Sequence, residues 1–509
     1  MRYVYFLTPK ELGVIGRMRL RSDNGEIMEA VHDTVADLPA LVVTIPDSVP
    51  NGVGCTRYLE ADGYIAREEH GILRLTSINP VTNSVAFESD MGTLEKAGSR
   101  PFVRSGIVRA AGRSFQDNEG FFYPLGETLF WAPRGWKFEN DRIKKNIEWA
   151  ASYQVDANRI LCAVGWPGNE NDPTWPDYQQ VLAELIDWTY DQCGMRTIAT
   201  IWGGGHWDPL HTTDLVCNVI RDRKHKILYA EAVNESFNNL PDVGIVREMS
   251  RRLMATGVLT VSSCLNPPTM EQYNELALGC SNMTTVHLDR SYGDLDWRFV
   301  RQPWDVKQFP GPCSQGEPKG PGSSVSPSSN PLQLAHDRLV GIICGAGSYV
   351  IHNAAGVYGI PNNNAGGGHR TANLWEMPGI DAVMRVVRKA DSILPIGVEG
   401  WRKANDGWRP PLQQHPLPSQ EFWEGDSINP NERGVNKNYC AIEGAHFVCT
   451  PAGIKNMAHL RATWPCTVRV YDTELAELVI ETDLDSGEDL LLPGVMNSMR
   501  AYTVVGDIH

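Results

Sequence analysis

Residues 227–236 read Ile227-Leu228-Tyr229-Ala230-Glu231-Ala232-Val233-Asn234-Glu235-Ser236, an almost unbroken apolar run that stops at Asn-Glu-Ser. A short apolar run of this kind is the pattern of a strand buried on both faces, as in a parallel sheet covered by helices. Strand period two places Glu231, Val233 and Glu235 on one face, so Glu231 is expected to point inward below Glu235. A buried extra carboxylate needs a partner, and Arg159 or a neighbouring imidazole is the one expected.

Similar runs lie on either side. Gly120–Trp131, Arg159–Val164 and Thr197–Ile201 precede it; Val258–Val261, Thr285–Leu288, Cys313–Glu317 and Ser348–His352 follow. Between them sit stretches of period near 3.6, among them Asn140–Tyr153, Asp177–Gln192, Val243–Ala255, Met270–Leu278 and Pro331–Cys344. Eight strands alternating with helices over residues 113–400 predict an α/β (β/α)8 TIM barrel. A doubly wound open sheet is the structural alternative; its Gly-rich phosphate turn is not found. Residues 1–112 read as an N-terminal β-rich accessory domain, with helical periodicity near Glu26–Val35, and residues 401–509 as a C-terminal β-sandwich.

Composition narrows the partners. The 509 residues carry 46 Lys+Arg against 61 Asp+Glu, a formal charge of −15 without basic runs. Nucleic acid and anionic membranes are therefore excluded as expected partners. The 15 Trp and 16 Tyr suit flat, uncharged faces such as sugar rings. The longest uncharged run, Leu339–Ile360, holds His352, Asn353 and five glycines and fails as a membrane span. The N-terminal apolar run is too short for a secretory signal peptide, which points to the cytoplasm, or to virion association or another non-classical export route. The 11 cysteines form no C-x-x-C pair and read mostly as buried thiols. His206 and His211 lack a third ligand at metal spacing, so no metal and no cofactor are expected.

In a barrel, functional groups come from the C-terminal ends of the strands. Those ends supply Trp131, Trp166, Trp202–His206, Asn234-Glu235, Ser262–Asn266, His287–Tyr292, Glu317 and His352-Asn353. Two carboxylates, Glu235 and Glu317, are the inventory of glycoside hydrolysis, which needs one acid and one nucleophile or base. Their proximity should raise the pKa of one. His206, His287 and His352 suit sugar hydroxyls, and Trp131, Trp166, Trp202 and Trp207 are either sugar platforms or core.

The fourth strand with its Asn234-Glu235 resembles the clan of (β/α)8 retaining glycosidases that includes the family 5 cellulases and mannanases. The resemblance extends diffusely over residues 112–400 and includes Gly112–Phe130 as a first-strand match. It implies Glu235 as acid/base, Asn234 as the ligand of the sugar 2-hydroxyl, and Glu317 in Gln315–Gly320 as nucleophile. It also implies Arg159 as the residue orienting the nucleophile and Tyr292 as its aromatic hydrogen-bond partner. Two places depart from the pattern: Ser236 replaces a proline, and the eighth strand's end, Ile351–Gly356, has no tryptophan to floor the sugar site. The expected substrate is a carbohydrate; its identity and the oligomeric state are not legible. The rival reading is a non-catalytic carbohydrate-binding protein or a virion- or cell-surface structural protein that keeps the cleft, and the separation of the two carboxylates discriminates between them.

Overall fold

The computed structural model describes residues 104–266, 268–288, 306, 308–318, 320, 331–360, 372–394, 442, 444–449, 460–490, 492 and 502–509 with their side chains, and elsewhere only the backbone of a set of strands. The chain divides into two compact units, Met1–Ser99 and Arg100–His509. In the first, seven strands between Arg2 and Ser77 form one antiparallel sheet. The helical periodicity near Glu26–Val35 does not form a helix: Ile27–Val35 is a strand paired with Leu38–Thr44. Its β-branched residues, Ile27, Val31, Thr34 and Val35, suit the extended state, and cross-strand pairing decides between two readable periods.

The second unit contains a closed barrel of eight parallel strands. They are β1 (Leu125–Thr128), β2 (Ala157–Ala163), β3 (Arg196–Trp202), β4 (Ile227–Val233), β5 (Thr260–Leu265), β6 (Thr284–Val286), β7 (Cys313–Gln315) and β8 (Ser348–Ile351). β8 closes on β1 through the register Leu125↔Tyr349. Helices including Asn140–Ser152, Tyr178–Cys193, Pro209–Arg221, Val243–Met254, Pro331–Ile343 and Ile380–Asp391 cover it. β4 has the limits read from sequence, whereas the long first run divides. Gly120–Phe122 joins Arg109–Ala111 and Ser114–Asp117 in a small antiparallel sheet, and only Leu125–Thr128 enters the barrel. Pro124 lies between the two pieces and has no N–H to donate to a continuous ladder.

The small sheet supplies Val108, Phe115 and Phe122 to a buried cluster with Ala157, Ile198, Tyr229, Val261 and Val350. These residues lie low in the barrel and form its apolar floor. Above them Tyr229 Oη lies 3.0 Å from Ser314 Oγ, which donates to Ser348 Oγ at 3.1 Å. Higher still comes the charged layer described below.

C-terminal to the barrel, two antiparallel sheets enclose a second core of Phe447, Cys449, Leu460, Val468, Val470, Leu484, Tyr502 and Val504. Alternating burial along Cys466–Asp472 is the expected mark of a strand with one face in such a core. Val448 joins the barrel's outer core and Val505 packs against it. Eight described cysteines are buried free thiols, whereas Cys449 is disulfide-bonded. Among the described residues no helix is long and apolar enough to cross a membrane.

Candidate active site

Arg159, in β2, is fully buried and organises the charged layer. Its Nη2 donates to Glu231 Oε2 at 2.7 Å and to Asn234 Oδ1 at 2.9 Å, while Nη1 donates to Glu317 Oε1 at 2.9 Å. Thr200 Oγ1 adds a donor to Glu231 at 2.8 Å. Burial works against the guanidinium charge, but Glu231 and Glu317 outweigh it and raise the Arg159 pKa above its ordinary value. One buried cation thus ties together the ends of β2, β4 and β7. A lone charge at such depth would cost several kcal/mol, and pairing with two carboxylates through hydrogen bonds is what makes the arrangement tolerable.

Glu235 follows β4 in the left-handed region, at φ 49° and ψ 69°. A non-glycine residue there costs about 1–3 kcal/mol, and such strain concentrates where function requires a particular orientation. The loop is held by its neighbours: the Ser236 N–H donates to Ser263 Oγ at 2.9 Å, and Asn239 Nδ2 donates to the Asn234 carbonyl at 2.5 Å. The turn aims Glu235 at His287, whose Nδ1 lies 3.0 Å from Glu235 Oε1. Asn238 Nδ2 donates to the other oxygen at 3.2 Å.

Glu317 is 4% exposed at the end of β7. Its Oε2 is 3.7 Å from His287 Nδ1 and 3.7 Å from His352 Nε2. Carboxylate oxygens of Glu235 and Glu317 and a ring nitrogen of His287 all lie within 4.8 Å of one another. His352 is fixed from behind, its Nδ1 3.0 Å from Thr128 Oγ1. Gly316 leaves room for this convergence, because a Cβ there would stand 2.8 Å from Thr285 Cγ2 and 3.0 Å from His287 Nε2.

The electrostatics differ from the sequence expectation. Burial and the neighbouring Glu317 push the Glu235 carboxyl up, but the hydrogen bond and charge of His287, with Asn238, prevail and hold it below its ordinary value. His287 takes the opposite shift: burial lowers it, while Cys264, Glu317 and Glu235 together push it up to about 10. At neutral pH the proton shared by the pair therefore rests on the imidazole. Glu235, His287 and Glu317 are the one group among the described residues spaced to hold a metal ion. Each of its two carboxylates already has a partner, Glu317 in Arg159 and Glu235 in His287.

The sequence-nominated residues divide clearly. Glu235, Glu317, Asn234, Arg159, His287 and His352 converge on one point. Trp166 stands nearby, half-buried, with its ring 6.3 Å from Phe130 and 6.0 Å from Tyr358. Trp202 is a correction: at 2% exposed it has no open face, and its Nε1 donates to the Asn239 carbonyl at 3.4 Å. Trp131 is likewise core, fully buried and donating to the Ala355 carbonyl at 3.0 Å. His206 is exposed and lies against Trp207, with ring centroids 4.6 Å apart. Tyr292 lies outside the described residues. Tyr358, which packs on Trp166, is not singled out in the sequence, because it lies on a helix seven residues beyond β8 rather than at a strand end.

No family model matches this chain, and no curated protein matches it. Solved structures do. A glycoside hydrolase family 5 structure from Bacteroides vulgatus ATCC 8482 aligns over 81% of this chain and 95% of its own, with TM-score 0.56 and 12% identity. A second structure, described as a glycoside hydrolase, aligns over 80% of this chain and 97% of its own, with TM-score 0.53 and 11% identity. The chain is therefore similar in fold to glycoside hydrolases, a family 5 structure among them.

Proposed function

We propose that the protein is a glycoside hydrolase that cleaves O-glycosidic bonds of an oligosaccharide or polysaccharide with retention of configuration. The observation that carries this reading is the meeting of Glu235 and Glu317 oxygens within 4.8 Å around His287. Retaining enzymes place their carboxyl groups about 5–5.5 Å apart, whereas inverting ones leave about 6.5–9.5 Å for a water. The fold shared with glycoside hydrolases supports the reaction class.

In the first step a Glu317 oxygen attacks the anomeric carbon as the bond to the leaving oxygen breaks. Glu235, supplied with the proton shared with His287, protonates that oxygen. In the second step water attacks the same carbon, gives its proton back to the Glu235–His287 pair, and releases Glu317 as carboxylate. Arg159 holds Glu317 in place through its hydrogen bond. Asn234, its Oδ1 held by Arg159, has its Nδ2 to offer to a sugar hydroxyl. No cofactor enters this chemistry, and the net charge of −15 suits a neutral substrate.

The test begins with a panel of neutral polysaccharides and aryl glycosides. On any substrate that is turned over, Glu235→Gln and Glu317→Gln should each lower kcat by about 10²–10⁴-fold or more, with little change in melting temperature. A 2-deoxy-2-fluoro glycoside with a good leaving group should leave a covalent adduct on Glu317, seen by mass spectrometry. Full activity in either variant overturns that residue's role. Sugar binding without turnover or adduct favours a non-catalytic binder.

A further inference from the structure

We propose that Glu127, on the outer face of β1, is a positioning residue for the nucleophile: through Asn353 it fixes the end of β8 and so sets His352 against Glu317. This rests on the glycosidase reading above and adds a residue outside the cleft that acts on its chemistry.

Strand alternation sets two layers back to back. On β1, Gly126 faces Val350 and Ile198 of the floor and Thr128 faces His352, whereas Leu125 and Leu129 lie in the core between barrel and helices. Glu127 belongs to that outer set. On β8, Ile351 lies in the same outer core. Asn353, still extended at φ −147° and ψ 160°, keeps the alternation one residue past His352. Glu127 stands in register with Ile351 on one side and with Asn158 of β2 on the other. Asn158, Glu127 and Asn353 are thus each the chain neighbour of an inward residue: Arg159, Thr128 and His352.

Glu127 is fully buried, and its Oε1 accepts from Asn353 Nδ2 at 2.6 Å. Asn353 Oδ1 accepts from the Gly356 N–H at 2.8 Å, so both ends of its amide are held. His352, one residue earlier, then presents Nδ1 to Thr128 Oγ1 at 3.0 Å and Nε2 to Glu317 Oε2 at 3.7 Å. Burial pushes the Glu127 carboxyl well above its ordinary value, and the Asn353 hydrogen bond works the other way without prevailing. At neutral pH the carboxyl is therefore uncharged, an acceptor for Asn353 rather than half of an ion pair. Its Oε2 and both polar atoms of Asn158 have no hydrogen-bond partner among the described residues. Unpaired polar groups at such depth are costly, and an aliphatic side chain would fill the same space at less cost. A costly residue in the outer core is accounted for by what it holds, the Asn353 amide.

The experiment uses the full chain and a 2-deoxy-2-fluoro glycoside with a good leaving group that labels the native protein at Glu317. Mass spectrometry follows both the rate of labelling and the final fraction of protein labelled. Glu127→Met fills the space without an acceptor, and should label about tenfold more slowly while still reaching the native fraction. Glu127→Gln keeps an uncharged acceptor and should label at the native rate. Asn353→Ser keeps a helix-capping oxygen but is too short to reach Glu127, and should match Glu127→Met. It decides the case if thermal melts show Glu127→Met to be unfolded. A purely structural defect would instead label a smaller fraction at the native rate. That result, or native labelling in both Glu127→Met and Asn353→Ser, overturns the positioning role and leaves the glycosidase reading standing. Slow labelling of Glu127→Gln also overturns it, because an uncharged acceptor would then not suffice. Neither labelling nor turnover of any glycoside by the native protein overturns the glycosidase reading, and the positioning role with it.

Discussion

His287 is the residue on which the site's protonation turns. It faces Glu235 from β4 and Glu317 from β7, with Cys264 of β5 beside it; Arg159 of β2 and His352 after β8 approach the same Glu317. Since its ring is pushed up to about 10 while Glu235 is held low, the pair keeps one proton across the neutral range. The basic limb of kcat/KM should then lie well above neutrality, where that proton is lost. In His287→Ala the proton must reside on Glu235 itself, and the basic limb should fall toward the carboxylate range. Matched pH–rate profiles check this, and a basic limb that does not move would remove His287 from the proton's path. The shift also has a thermodynamic sign. A group raised from an unfolded value of about 6.5 contributes its full stabilisation below that pH and loses it as pH rises through the folded value. The native melting temperature should therefore decline toward pH 10 more steeply than that of His287→Ala. Most of these residues were legible in the sequence as polar side chains at the ends of buried runs. The direction of the Glu235 shift was not, since it depends on an imidazole 52 positions away.

At the scale of elements, the link from β8 to its short helix sets the geometry on the nucleophile's side. Asn353 Nδ2 donates to Glu127 Oε1 at 2.6 Å, and Asn353 Oδ1 caps the helix by accepting from the Gly356 N–H at 2.8 Å. The Phe130 N–H donates to the Gly356 carbonyl at 2.8 Å. The helix backbone thus lies directly on the end of β1, and a Cβ on Gly356 would stand 2.0 Å from the Thr128 carbonyl oxygen. Gly356→Ala must push the helix outward, disturbing Tyr358 and the Thr128–His352 contact together. Overpacking of this kind costs about 1–3 kcal/mol. We expect a lower melting temperature together with a raised KM; a variant that melts and binds as the native protein would show that the contact is not restrictive. Sequence periodicity located these elements but not all their limits. β5 runs Thr260–Leu265 rather than Val258–Val261, since Ser262, Ser263 and Cys264 are buried strand residues although their small polar side chains do not extend the apolar run. In the first run, apolar residues continue across Pro124, so composition alone does not separate the floor hairpin from β1.

Across the whole second unit, the two ends of the barrel do different work. The C-terminal ends of the strands carry Arg159's network and the facing carboxylates, while the opposite end is closed by the small antiparallel sheet. Phe115 of that sheet is fully buried among Ala157, Ile198, Tyr229 and Val350, and its hairpin is pinned by Asp117, which accepts from Arg104 Nη2 at 2.7 Å and from Arg196 Nη1 at 2.8 Å. Burial alone would raise the Asp117 carboxyl, but both arginines outweigh it and hold it below its ordinary value. Residues at the N-terminal end of a barrel generally serve stability, and those at the C-terminal end serve chemistry. Phe115→Ala removes a buried ring from the floor and should cost about 3–5 kcal/mol. Denaturant unfolding should show the midpoint falling by the corresponding amount, whereas kcat and KM below the transition should remain at native values, because no group of the Glu235–His287–Glu317 cluster touches the floor. A fall in kcat matching the loss of stability would mean that the charged layer transmits strain from floor to mouth, and that the two ends are not independent.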